Sequence, residues 1–85
     1  MSPSDDIERT LAQLIAKVSG TDPVATFAGR PLTGLSLRDE LDIDSLAMVE
    51  LTDEIELSYG LTIPEDGLHR LRTFGDVVGY LRAAA

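Results

Sequence analysis

From Asp39 to Asp66 the chain carries ten carboxylates and no Lys or Arg, and the apolar residues threaded through that field recur at helical spacing. Such a segment is best satisfied as a helix that buries one apolar stripe and turns its charge to water. At about 100° per residue, Met48, Leu51, Ile55 and Tyr59 fall on one side of a helix from about Ser45 to Tyr59. Leu46, Glu50, Asp53 and Leu57 fall on the opposite side, with Glu54 and Glu56 flanking them. Gly60 follows as a C-terminal stop. The outward stripe is therefore a row of acids framed by two leucines. Charged helix positions are ordinarily just a solvated face, but exposed apolar residues rimmed by charge suggest a partner surface. One hydroxyl, Ser45, stands at the start of this helix. With no base beside it in sequence it is a poor nucleophile and a suitable attachment point. Serine is also favoured at helix starts simply for capping.

Three further helical segments can be read. In the first, from about Ser4 to Val18, Ile7, Leu11, Leu14, Ile15 and Val18 form one stripe. Ser2, Pro3, Asp5 and Asp6 suit its positive end, and Lys17 suits its negative end. Gly20, Asp22-Pro23, Gly29, Pro31 and Gly34 punctuate the stretch from Ser19 to about Ile43, which rules out a long helix there. A loop of that length must be pinned to the core, with Val24, Phe27, Leu32, Leu35, Leu37 and Leu41 as anchors. A short helical piece is expected from Glu65 to about His69, with Gly67 inside it. The last helix begins at Thr73, where Thr73 and Asp76 have capping-box spacing. Phe74, Val77, Val78 and Leu81 form its stripe, and Ala83 to Ala85 read as a fraying end. No strand is expected. The 85 residues suffice for a single domain over 1–85. The expected fold is all-α: a small four-helix bundle, three main helices plus a short third one, with a long loop between helices 1 and 2.

Fifteen acidic against seven basic residues give a formal charge of −8. That charge repels phosphate backbones and anionic lipid, so neither nucleic acid nor membrane is an expected partner. Proteins with basic patches are. The chain has no cysteine and one histidine, His69, which removes Cys-based and His-rich metal sites. Asp42 and Asp44 alternate, but the residues after them lack a calcium-loop pattern. No apolar run is long enough to span a bilayer, so a cytoplasmic location is expected. The inventory holds no Gly-rich phosphate loop and no triad, so catalysis is not expected.

Several stretches together resemble the acyl carrier protein family. They are Leu41-Asp42-Ile43-Asp44-Ser45-Leu46, Met48-Val49-Glu50-Leu51, Tyr59-Gly60, Ile63-Pro64 and Gly75-Asp76-Val77-Val78-Gly79-Tyr80-Leu81. The wording around Ser45 looks most like carriers of actinobacterial fatty acid or polyketide synthesis. The resemblance implies that Ser45 is esterified with 4′-phosphopantetheine, a group drawn from coenzyme A whose thiol holds acyl groups as thioesters. It implies that Asp44 approaches the magnesium ion of the phosphopantetheinyl transferase that loads the arm. It also implies that Glu50, Asp53, Glu54 and Glu56, with Leu46 and Leu57, meet basic patches on acyltransferase, ketosynthase and other synthase enzymes. A cargo cavity would map onto Met48, Leu51, Ile55, Tyr59, Ile63, Leu68 and Leu71. Arg70 and Arg72 read first as solvated or paired side chains, and only second as candidates to touch the arm. Leu57 departs from the family, which commonly has an acid there, the 24–35 loop is longer and more irregular than in housekeeping carriers, and Gly67 interrupts the short third helix. Together the three point to a pathway-specific carrier, expected to be a monomer because a shuttle gains nothing from a fixed partner.

Two other readings stay open. Carriers of aminoacyl or peptidyl groups usually have His or Gly before the serine, so Asp44 favours acyl cargo without excluding them. An unmodified acidic helical adaptor would also use the face around Glu50 and Asp53.

Overall fold

The structure is a computed structural model that describes residues 3–84, with side chains from Asp6 onward. Ser2 and Ala85 lie outside the described residues, as do the side chains of Pro3 and Asp5, so the expected start of the first helix is described in backbone only. Among the described residues five α-helices occur in order: α1 (Pro3–Ser19), α2 (Pro23–Thr26), α3 (Ser45–Tyr59), α4 (Glu65–Leu68) and α5 (Phe74–Ala84). A single 3₁₀ turn, Leu32–Gly34, lies between α2 and α3. No strand forms among the described residues, although Ser36 and Thr73 make one isolated antiparallel bridge. The all-α expectation holds, with three long helices and a short one before the last. The long connection adds its own single-turn helix, α2, begun by Asp22, whose carboxylate accepts a hydrogen bond from Val24 N at 3.0 Å.

α1 packs against both α3 and α5. The stripes expected from the sequence meet there: Leu11 and Ile15 of α1, Leu51 and Ile55 of α3, and Phe74, Val77 and Leu81 of α5 are all buried. Leu35, Leu37 and Leu41 of the long connection close the core from the side. Val24, expected as an anchor, is exposed instead, and Pro23 is buried in its place. The single turn of α2 presents one residue to the core, and its Asp22 cap rotates Val24 outward.

Two chain ends are set as the sequence foretells. Gly60 adopts φ 65°, the left-handed stop of α3, and its N–H donates to Glu56 O. At the start of α5, Asp76 N donates to Thr73 Oγ1 and Thr73 N donates to Asp76 Oδ2, both at 3.1 Å, a reciprocal capping box. Gly75 is required for a different reason. A Cβ there would stand 2.7 Å from the Thr33 carbonyl oxygen, so only glycine lets α5 lie against the 3₁₀ turn.

Candidate functional site

α3 starts where it does because Asp44 holds an extended backbone and its carboxylate accepts a hydrogen bond from Ala47 N at 2.8 Å. Met48 N donates to Asp44 O at 2.8 Å and begins the helical ladder. Capping is thus the work of Asp44. Ser45, the next residue, is exposed, and its hydroxyl has no hydrogen-bond partner among the described residues. The plain explanation for a serine at this position, that it caps the helix, does not apply. Just upstream, Asp42 sits at φ 56°, a left-handed conformation that Asp tolerates better than most residues. That bend buries both Leu41 and Ile43 and leaves Asp42 in solvent.

Ser45 lies on the rim of an open cleft of about 510 Å³, within the range of roughly 300–1,000 Å³ usual for ligand sites. Three chain segments build it. Ile43 to Ser45, Met48 and Val49 form one wall, Ser36 to Asp39 the second, and Leu68, His69, Leu71 and Arg72 the third. Ile43, Leu37 and Leu71 are buried, and Met48 and Leu68 half-buried, so the floor is apolar. Arg38, Asp39, Asp44, His69 and Arg72 on the rim are exposed. Backbone bonds hold the walls together. Leu37 N donates to Arg72 O at 3.0 Å and Phe74 N to Leu35 O at 2.9 Å, joining the second wall to the third, and Ile43 N donates to Leu37 O at 2.8 Å, joining the first to the second. The second wall is further fixed by Glu40, whose carboxylate accepts from Ser36 N at 3.0 Å and pairs with Arg30 at 3.2 Å. The Ser36 amide holds the Glu40 carboxyl below the usual range against the next-largest effect, desolvation, and Arg30 adds to the lowering.

The outward face of α3 is less uniform than the sequence suggests. Leu46 and Leu57 are 70% and 81% exposed, and Glu50 and Asp53 are exposed between them. Glu54 is instead paired with Lys17 of α1 at 3.0 Å. Glu56 is half-buried and turned toward the next connection, where its carboxylate accepts a hydrogen bond from Ile63 N at 2.6 Å. Two of the four acids assigned to the face are therefore already engaged within the fold. Val49, 55% exposed beside Leu46, was missed and extends the apolar part of that surface. Its angular position next to Leu46 was the available signal. Of the seven residues expected to line a cargo cavity, Met48, Leu68 and Leu71 line the cleft, whereas Leu51, Ile55 and Ile63 are packed into the core and Tyr59 is half-buried against it. Arg72 is on the rim, but Arg70 is not among the lining residues. Arg38 was not anticipated at all.

An exposed serine without a hydrogen-bond partner among the described residues thus stands at the head of a helix, beside an apolar-floored cleft. Comparison with known proteins identifies the family. Residues 9–81 match the family described as "Phosphopantetheine attachment site". Over 78 residues the chain is 41% identical to the meromycolate extension acyl carrier protein of Mycolicibacterium smegmatis, covering 92% of this chain and 74% of that protein. It is 37% identical over 78 residues to the acyl carrier protein of Rhodococcus erythropolis, covering 92% and 80%. It is 31% identical over 84 residues to that of Renibacterium salmoninarum, covering 99% and 98%. The chain belongs to the phosphopantetheine-attachment family of acyl carrier proteins.

A carrier of this family bears phosphopantetheine covalently and works with synthase and transferase enzymes. The residues present fit such a group, since a free hydroxyl stands where the cleft opens and the cleft can accept a flexible, partly apolar chain. Among the described residues no helix is long and apolar enough to cross a membrane. Among the described residues no group of three or more His, Cys, Asp or Glu is placed to hold a metal ion.

Proposed function

We propose that Ser45 carries the phosphopantetheine arm, in a single carrier domain spanning the chain. The domain acts as a monomer and a shuttle, performs no catalysis itself, and works in the cytoplasm, where coenzyme A supplies the arm. The observation that carries this reading is that Asp44 caps α3 and leaves the Ser45 hydroxyl without an intramolecular role. Loading forms a bond from Ser45 Oγ to the phosphorus bearing pantetheine. The pyrophosphate bond of coenzyme A breaks, adenosine 3′,5′-bisphosphate leaves, and the hydroxyl proton passes to a base of the phosphopantetheinyl transferase. Once bound, the arm supplies a thiol that holds acyl groups as thioesters.

Asp44 has a second role in this reading, approaching the magnesium ion of the transferase. An Asp44→Asn variant that loads at the parent rate with the parent magnesium dependence contradicts that role. The stripe of Leu46, Val49, Glu50, Asp53 and Leu57 meets basic patches on partners such as acyltransferase and ketosynthase. Steering by Glu50 and Asp53 raises encounter rates without adding much affinity, which suits a carrier that must also leave. The cargo is acyl, in fatty acid or polyketide-type synthesis.

The reading is tested by intact mass after incubation with a broad-specificity transferase, magnesium and coenzyme A. A gain of one phosphopantetheinyl group in the parent and none in Ser45→Ala is expected. No gain by a folded parent overturns the reading and moves an unmodified adaptor to first place.

A further inference from the structure

In a chain of net charge −8 with seven basic residues, two arginines, Arg38 and Arg72, line the cleft beside Ser45, whereas Arg70 and Arg82 lie outside it. Lys17 and Arg30 are committed to Glu54 and Glu40. Arg38 and Arg72 have no ion-pair partner among the described residues, yet they stand on the two cleft walls that the Leu37–Arg72 backbone bond holds together. Two acids share the rim. Asp44 spends its carboxylate on the helix cap, and Asp39 is exposed. His69 adds a third nitrogen-bearing side chain on the Arg72 wall. Two guanidinium groups facing one apolar-floored cleft are suited to one tetrahedral anion, because each presents a fork of donors matched to phosphate oxygens.

We infer that Arg38 and Arg72 are positioning residues that hold the phosphodiester of the arm and lay its pantetheine chain along the cleft floor of Met48, Leu68 and Leu71. This inference rests on Ser45 as the attachment residue. The anion is formed at Ser45, on the rim that these side chains share. It also opposes the acids: Asp42, Asp44 and Glu50 near the head of α3 repel a phosphodiester, and the two arginines offset that repulsion on the cleft side. The loaded arm then rests beside the acidic stripe, meeting it only at Val49, and Leu46, Glu50, Asp53 and Leu57 stay free for partners.

The test is the phosphorus-31 NMR signal of the loaded protein, with the same protein unfolded in urea as the reference for a free arm. Mass spectrometry confirms loading of every sample. In the folded parent the signal is expected to stand apart from the reference and to move toward it as salt is added. In Arg38→Gln/Arg72→Gln it is expected to collapse onto the reference, while Arg38→Lys/Arg72→Lys keeps part of the difference. Arg82→Gln, in the last turn of α5 and outside the cleft, should leave the signal unchanged. Contacts between the arm's methyl groups and Met48 or Leu68, read as nuclear Overhauser effects in the parent alone, decide the matter if the double variant folds poorly. A loaded parent whose signal equals the reference overturns the clamp. So does a folded glutamine variant that keeps the parent signal. Failure to load at all overturns the Ser45 reading, and the clamp with it.

Discussion

The two flanks of Ser45 are built in opposite ways. On one side, the stripe from Leu46 to Leu57 is carried by a single helix and is single-signed. On the other, the cleft is assembled from three separated segments, has an apolar floor and carries both signs of charge. The first flank needs only α3 to fold. The second also needs the 35–37 and 72–74 backbones to meet, α5 to seat on the 3₁₀ turn, and Glu40 to hold Ser36. A surface on one element is robust and visible in a helical projection. A composite surface is as strong as the contacts that frame it.

The largest effect expected from breaking this contrast falls on the frame of the cleft. Gly75→Ala forces a Cβ against the Thr33 carbonyl and should cost about 1–3 kcal/mol of stability, the usual range for overpacking a close contact. Urea denaturation measures it, and amide shifts should move around residues 32–38 more than along the outer face of α3. Gly79, on the same helix, is the internal control. A Cβ there meets nothing within 4 Å, so Gly79→Ala should be neutral or stabilise by up to about 1 kcal/mol.

Next comes the acidic flank. Glu50→Lys/Asp53→Lys should slow association with a basic partner enzyme by about tenfold at low ionic strength, and the difference should shrink as salt is added. Arg38→Gln/Arg72→Gln should not slow it. Stopped-flow or surface-binding kinetics at two salt concentrations separate the flanks. Equal slowing by both pairs would show that partners read the whole rim and not the stripe alone.

Asp44→Ala touches the point where the flanks join. Loss of its bond to Ala47 N should cost about 1 kcal/mol. If Ser45 took over the cap, the loss would be smaller and loading would fall, because the hydroxyl would then be engaged.

The smallest effect is acid sensitivity of the cleft wall. The folded-state pKa of Glu40 lies below its ordinary value. Its contribution to stability is therefore present above the ordinary carboxylate range and is lost as pH falls through the lowered value. Glu40→Gln should flatten that part of the pH dependence, seen as amide exchange at Ser36 that no longer accelerates in acid. Unchanged acid acceleration would assign it to another group.

How much could be read from sequence follows the same division. The bounds of α3, the Gly60 stop and the Thr73/Asp76 capping box were legible because each depends on residues a few positions apart. The buried stripes of α1, α3 and α5 were legible for the same reason. Val24 was misplaced because an apolar residue in a loop carries no periodicity to fix its direction, and the Asp22 cap decided it. The engagement of Glu54 and Glu56 was invisible, since Lys17 and Ile63 reach them only in the folded chain. The placement of Arg38 and Arg72 in the lining of one cleft depends on the Ser36–Thr73 bridge, which has no local signature. Ser45 was legible as a candidate, but its lack of a capping role needed the geometry of Asp44.

The most direct test of the account is to localise the added group. After loading, tryptic cleavage should release a peptide from Asp39 to Arg70, which contains both Ser45 and Ser58. Fragmentation of that peptide should place the phosphopantetheinyl mass on Ser45. The same mass on Ser58, or on any other residue, would contradict the claim that the free hydroxyl at the head of α3 is the attachment point.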